Sequence, residues 1–301
     1  MAVRHFLSLT DLSPAEIKQL IRRAIEMKAE LANGVSSDLL RHRTAVMVFE
    51  KSSTRTRMSF ETGITHLGGN AIFLSPTDSH LARGEPIADT ARVLSRMASL
   101  VILRTGEHQR VVEMASHSRV PVINGLSDFN HPCQLLADIQ TWMEHRGEIT
   151  GRRVAWIGDG NNVCHSWMNA ARLLEFTLTV ATPTGYEPDQ DLASECAEFV
   201  SFTNSPLEAV TNADLVVTDT WASMGQEEEK RLRQREFAGY CVDAGMMKAA
   251  AADALFMHCL PAYRGMEVTA EVIDGPSSVV WDEAENRLHA QKALMEFLLT
   301  Q

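Results

Sequence analysis

Short, unbroken apolar runs alternate along this chain with stretches of helical periodicity. Thr44–Phe49 is apolar and β-branched with no breaker, the pattern of a strand covered on both faces. After it, Met58, Phe60, Ile64 and Leu67 recur at helical spacing until Gly68-Gly69 stops the pattern. Upstream, Ser13-Pro14-Ala15-Glu16 forms a capping box with proline at the first helical position, predicting a helix to about residue 29. Downstream, the pattern predicts strands over 71–74, 100–103 and 120–123, with helices over 87–97 and 107–116 between them. A long helix over 131–145 then leads past Gly147 and Gly151 to a second series. There, strands over 153–157, 178–181 and 215–218 alternate with helices over 163–175 and 190–198. The short run 249–252 reads as plain helix, and 283–299 as an amphipathic final helix.

Alternation of this kind predicts an α/β protein: two doubly wound parallel-sheet domains joined by long linking helices. The boundary is expected within 131–151, giving domains 1–148 and 149–282, with the last helix (about 283–301) packing back on the first. A chain of 301 residues is long enough for two cores.

Composition narrows the partners. A net charge of −11 argues against nucleic acid or an anionic membrane, so basic spots such as Arg55 and Arg57 must serve something small. No apolar stretch is long enough for a membrane span. The segment 1–6 lacks a signal-peptide core, and the five cysteines form an odd set without a C-x-x-C pair, so a reduced, cytoplasmic protein is expected.

Candidate chemistry sits where strands end. Ser53-Thr54-Arg55-Thr56-Arg57 joins a strand to a helix, where free backbone N–H groups and the helix dipole favour an anion. The hydroxyls add donors and Arg55 can fork onto phosphate oxygens. Without a Gly-rich loop and terminal lysine, a small phosphate fits better than a nucleoside triphosphate; a capped surface helix with a basic first turn is the plain alternative. Gly158-Asp159-Gly160-Asn161-Asn162-Val163 imitates a dinucleotide fingerprint, but its third glycine is missing and the second strand ends in 180–183 without an acidic residue. What remains is a pair of amides at a helix start, suited to a small amino acid or simply to capping. His131 and Gln134, three apart in His131-Pro132-Cys133-Gln134, can address one carbonyl group. His258-Cys259-Leu260-Pro261 follows another apolar run, and Asp219-Thr220-Trp221-Ala222-Ser223-Met224-Gly225 offers a carboxylate for a cationic ligand. His131, Cys133, His258 and Cys259 show no zinc spacing, so neither metal nor cofactor is expected. The acidic 227–229 reads as a solvated helix start.

Taken in order, S-T-R-T-R, H-P-C-Q, D-x-W-x-S-M-G and H-C-L-P resemble the aspartate/ornithine carbamoyltransferase family over essentially the whole chain. The resemblance implies a carbamoyl-phosphate domain, an amino-acid domain and a homotrimer, or a multiple of trimers, acting in arginine biosynthesis. It implies that Ser53, Thr54, Arg55 and Thr56 hold phosphate with Arg104, and that Arg104, His131 and Thr56 face the carbonyl oxygen. Gln134 and the backbone of Cys259 and Leu260 would bind the carbamoyl amide, and Arg287 would add a cation. Asn162, Asp219, Ser223 and Met224 would bind the amino acid, and Cys259 would orient its amine. Arg104, His131, Cys259 and Arg55 are thus the implied catalytic set. His80 stands where ornithine-using members carry a glutamine toward carbamoyl phosphate, and its charge would vary near neutral pH.

The second substrate follows from charge. An aspartate user needs cations for a side-chain carboxylate, whereas this loop offers Asp219, which suits the ammonium of L-ornithine. The implied reaction is carbamoyl transfer from carbamoyl phosphate to ornithine's δ-amine, giving citrulline and phosphate through a tetrahedral intermediate. N-acetylornithine would leave Asp219 unpaired. Putrescine would waste the carboxylate contact of Asn162. A non-catalytic paralogue that kept the pocket would be expected to lose Arg55, His131 or Asp219, and all three are present.

Overall fold

The computed structural model describes residues 3–35, 37–75, 77–78, 84–221 and 227–300, with the side chains of 227–230 left aside. The chain forms two compact units: Met1–Gln140 with Glu285–Gln301, and Thr141–Ala284.

In the first unit, helix α1 (Pro14–Ala32) opens on the Ser13 capping box, in which Ser13 and Glu16 satisfy each other's backbone N–H. Strands β1 (Thr44–Phe49), β2 (Asn70–Leu74), β3 (Leu100–Arg104) and β4 (Val122–Leu126) alternate with α2 (Thr54–His66), α3 (Ile87–Met97) and α4 (His108–His117). The four strands form one parallel sheet in the order β2-β1-β3-β4. The chain leaves β1 toward one edge, then crosses back to the other side of β1 through β3. Ligands of open α/β sheets bind at the carboxyl ends of strands flanking such a reversal. Here those ends are the β1–α2 junction at Ser53 and the last residue of β3, Arg104. Val46, Val48, Val101, Leu103 and Val122 pack on Ile87, Ala91, Val111 and Met114 to form one face of the core. β4 starts two residues later than the pattern predicted. Ser118 holds Val120 in a turn, and Pro121, which has no N–H, gives only its carbonyl to Val101.

The second unit repeats the plan with β5 (Arg153–Ile157), β6 (Thr177–Ala181), β7 (Val200–Thr203), β8 (Leu215–Thr218) and β9 (Leu255–His258). All are parallel, in the order β7-β6-β5-β8-β9, so the reversal falls between β5 and β8. Helix α5 (Pro132–Arg146) and helix α12 (Val280–Leu299) cross the division between the units. Between them come α6 (Asn162–Leu174), α7 (Gln190–Glu195), α8 (Pro206–Val210), α9 (Glu227–Glu236), α10 (Ala244–Ala249) and α11 (Ala270–Ile273). Ala155, Ile157, Val216 and Phe256 meet Trp221, Phe237 and Val242 in the core on one face.

Two expectations are corrected. The alanine run is where α10 stops: Ala251 turns its N–H to Ala213 and the chain bends toward β9. The last helix is buried on nearly all sides from Glu283 to Met295, not along one stripe. Gly160 is required by the chain itself. A Cβ there would lie 2.3 Å from the backbone nitrogen of Pro188, so the close approach is to protein rather than to a pyrophosphate.

Candidate functional site

In the first unit the candidate residues converge on Thr56. Ser53 is the N-cap of α2 and its hydroxyl accepts the N–H of Thr56 at 3.3 Å, so one of the predicted phosphate hydroxyls also caps the helix. Thr54 is exposed and Arg55 half-buried on the first turn, while Thr56 is buried. The Thr56 hydroxyl accepts from Arg287 at 3.1 Å and from Arg104 at 3.4 Å. It binds together a helix start, the end of β3 and α12. With cationic donors on its oxygen, the Thr56 proton is directed to another acceptor.

His131 lies just before α5 and is buried. Burial holds its imidazole well below the usual histidine range, and the positive charges of Arg287, Arg104 and Arg55 push it further the same way. It is therefore a neutral N–H donor. Below about pH 6.5 the unfolded chain takes up a proton that folded His131 refuses, so stability falls as pH falls. Thermal melts between pH 7 and 5 should show this decline, and a shallower one in His131→Gln; equal slopes would contradict the assignment. Cys133 is structural: burial raises its thiol to about 12 and it donates to the Asn124 carbonyl.

Gln134 donates its amide to Asp138 at 2.8 Å and accepts from Arg287 at 2.5 Å. Next to Arg287, Asn286 takes hydrogen bonds from Lys28 at 2.8 Å and Gln140 at 3.1 Å, which fixes this turn of α12. Just after β1, Glu50 accepts from Thr105 and Arg110. These supports were missed from sequence; the four-residue spacing of Gln134 and Asp138 was the one readable signal.

In the second unit the candidates flank the β5/β8 reversal. Asn161 is the N-cap of α6, accepting from Val163 and Cys164, and its amide donates to Asp219 at 2.9 Å. Asn162 is the first residue of α6 and half-buried. Asp219 is buried just beyond β8, and it also accepts from the Thr220 N–H at 2.7 Å and the Cys259 thiol at 3.1 Å. Every one of these donors is neutral, and among the described residues no lysine or arginine pairs with Asp219. Cys259 and Leu260 follow β9 and belong to this unit, whereas the other described carbamoyl-phosphate candidates belong to the first. Leu260 has a left-handed backbone (φ 59°) and donates its N–H to His258. Ser223, Met224 and His80 lie outside the described residues.

Asp219, His258 and Cys259 bring potential metal-binding atoms within 4.8 Å of one another. The donor set does not suit a cation. His258 Nδ1 accepts from Leu260 at 2.9 Å, so its other nitrogen carries the proton and donates to Glu267 at 3.2 Å. No imidazole lone pair remains.

Two family models cover the chain. The aspartate/ornithine carbamoyltransferase carbamoyl-P binding domain matches residues 4–144, and the Asp/Orn binding domain of the same family matches residues 150–298. The chain belongs to the aspartate/ornithine carbamoyltransferase family. An ornithine carbamoyltransferase of Nitrosococcus oceani is 60% identical over 299 residues, covering 99% of this chain and 98% of the relative. A solved ornithine carbamoyltransferase from Burkholderia thailandensis superposes with a TM-score of 0.92 at 52% identity, with 99% of each chain covered. One from Pyrococcus furiosus gives 0.93 at 48% identity, covering 98% of this chain and 96% of that one. Within this family's two-domain plan, Ser53, Thr56, Arg104, His131 and Gln134 fall in the first matched domain, and Arg287 falls in the second with the residues around Asp219.

Proposed function

We propose that this carbamoyltransferase moves the carbamoyl group of carbamoyl phosphate to the δ-amine of L-ornithine, releasing citrulline and phosphate. The choice of amine rests on Asp219, a buried carboxylate ringed by neutral donors. An uncompensated buried charge is costly, and the ammonium of an amino acid relieves that cost. Asn162 adds an amide for the substrate carboxylate, with Ser223 and Met224 assigned to the same ligand.

In the first unit, Ser53, Thr54, Arg55 and Thr56 hold the phosphate together with Arg104, Arg287 and His80. Neutral His131, Arg104 and the Thr56 hydroxyl donate to the carbonyl oxygen, while Gln134 and the Cys259 and Leu260 backbone take the carbamoyl amide. The deprotonated δ-amine attacks the carbonyl carbon and charge collects on that oxygen. Preorganised donors there lower the barrier without reorganising. The tetrahedral intermediate collapses as phosphate leaves to the arginines, and no covalent enzyme intermediate is needed.

Cys259 orients the amine through Asp219. Cys259→Ser keeps a donor to that carboxylate and is expected to retain activity within about threefold, whereas Cys259→Ala should lose about tenfold, the worth of one hydrogen bond to a charged group. Equal kinetics for the two variants would refute this role.

We assign the protein to arginine biosynthesis in the cytoplasm. No described helix is long and apolar enough to cross a membrane, and the cysteines are unbridged. Assembly as a trimer is supported by exposed apolar side chains of the first unit: Met58 on α2, Ile72 on edge strand β2, and Val93 and Met97 on α3. Light scattering tests the trimer. A citrulline assay with ornithine, putrescine and N-acetylornithine in parallel tests the reaction, and turnover of putrescine or acetylornithine in preference to ornithine would overturn it.

A further inference from the structure

Gln134 and Asp138 stand one helical turn apart on α5, both 1% exposed. A glutamine amide has two ends of opposite character, and a half-turn of its last torsion exchanges them. Here the amide nitrogen meets the Asp138 carboxylate at 2.8 Å and the carbonyl oxygen meets the Arg287 guanidinium at 2.5 Å. A carboxylate only accepts and a guanidinium only donates. The flipped amide would set acceptor against acceptor on one side and donor against donor on the other, with every group desolvated. Arg287 is in turn tied to Thr56, on which Arg104 also converges.

We propose that Asp138 is a positioning residue for carbamoyl transfer. It fixes the polarity of the Gln134 amide, so that an acceptor and never a donor is offered to the carbamoyl N–H₂. This rests on the reaction proposed above. The neutral N–H of His131 supplies the opposite polarity for the carbonyl oxygen. Together they sort the two ends of a planar group whose N–H₂ and oxygen differ little in size. Asp138 touches no reacting atom in this scheme; it acts through Gln134.

Such a role predicts an inversion of sign. In the natural background, Asp138→Asn removes the acceptor-only partner and leaves Arg287 alone to orient the amide, and should lower kcat/KM for carbamoyl phosphate by about three- to tenfold, with KM for ornithine unchanged. Gln134→Glu keeps an acceptor toward Arg287 but sets a second carboxylate against Asp138, and should cost about a thousandfold. In that background Asp138→Asn provides a donor to the introduced carboxylate, and activity should rise by about tenfold or more. If Gln134→Glu does not fold, Gln134→Ala replaces it, and there Asp138→Asn should change kcat/KM less than about twofold. A plain structural role predicts the same loss in every background, and that result would overturn the proposal. Failure of the natural protein to form citrulline would overturn the proposed reaction instead. The same inversion, read as the rise in melting temperature caused by carbamoyl phosphate alone, tests Asp138 independently.

Discussion

Arg104→Ala is expected to lower kcat by about 10²–10³-fold, the usual loss when one preorganised donor to a developing oxyanion is removed. Arg104 closes β3 in register with Phe49, the last residue of β1, and reaches the Thr56 hydroxyl from there. It is held by a strand rather than a loop, so its position is set before substrate arrives. Arg104→Lys should recover little, because a point charge on a flexible stem cannot reproduce a planar fork that serves Thr56 and the ligand together. Steady-state kinetics with each substrate varied will separate the outcomes. A loss below about threefold for either variant would remove Arg104 from the chemistry.

On the amino-acid side, Asp219→Asn should reduce kcat/KM for ornithine by about 10²–10³-fold, mainly through KM, since truncating a buried charge pair costs about 2–5 kcal/mol. The same change should erase discrimination against N-acetylornithine, because the neutral side chain no longer requires an ammonium. One amide hydrogen will face a donor, either Asn161 or the Thr220 N–H, so a modest fall in melting temperature accompanies the change. Unchanged selectivity with a normal KM for ornithine would sink the assignment of Asp219.

Local rules wrote much of this fold legibly. β1, α3, β5 and β8 lie where periodicity put them, because each is bounded by a cap, a glycine or a polar turn. β7 and α8 were missed: both are under six residues, and β7 is a half-exposed edge strand with too little pattern to register. The burial of α12 was illegible for a different reason. Its polar residues Asn286, Arg287, His289, Gln291 and Lys292 look solvent-facing in sequence, yet all are buried. Partners far away in the chain reach two of them: Lys28 and Gln140 bond Asn286, and Gln134 and Thr56 bond Arg287. The same distance hid the meeting of Arg104 and Arg287 on Thr56. Ser53-Thr54-Arg55 advertised an anion cradle through short-range chemistry, whereas the hub beneath it is a product of topology.

Because residues 285–301 complete the unit built from residues 1–140, that unit cannot close until the ribosome has made the whole of 141–284 in between. The segment carrying Ser53 to Gln134 emerges early and stays without Arg287 through all of that interval. A nascent chain is thereby without the proposed phosphate grip until residues 285–301 are translated, and a product cut short before them is expected to be inactive.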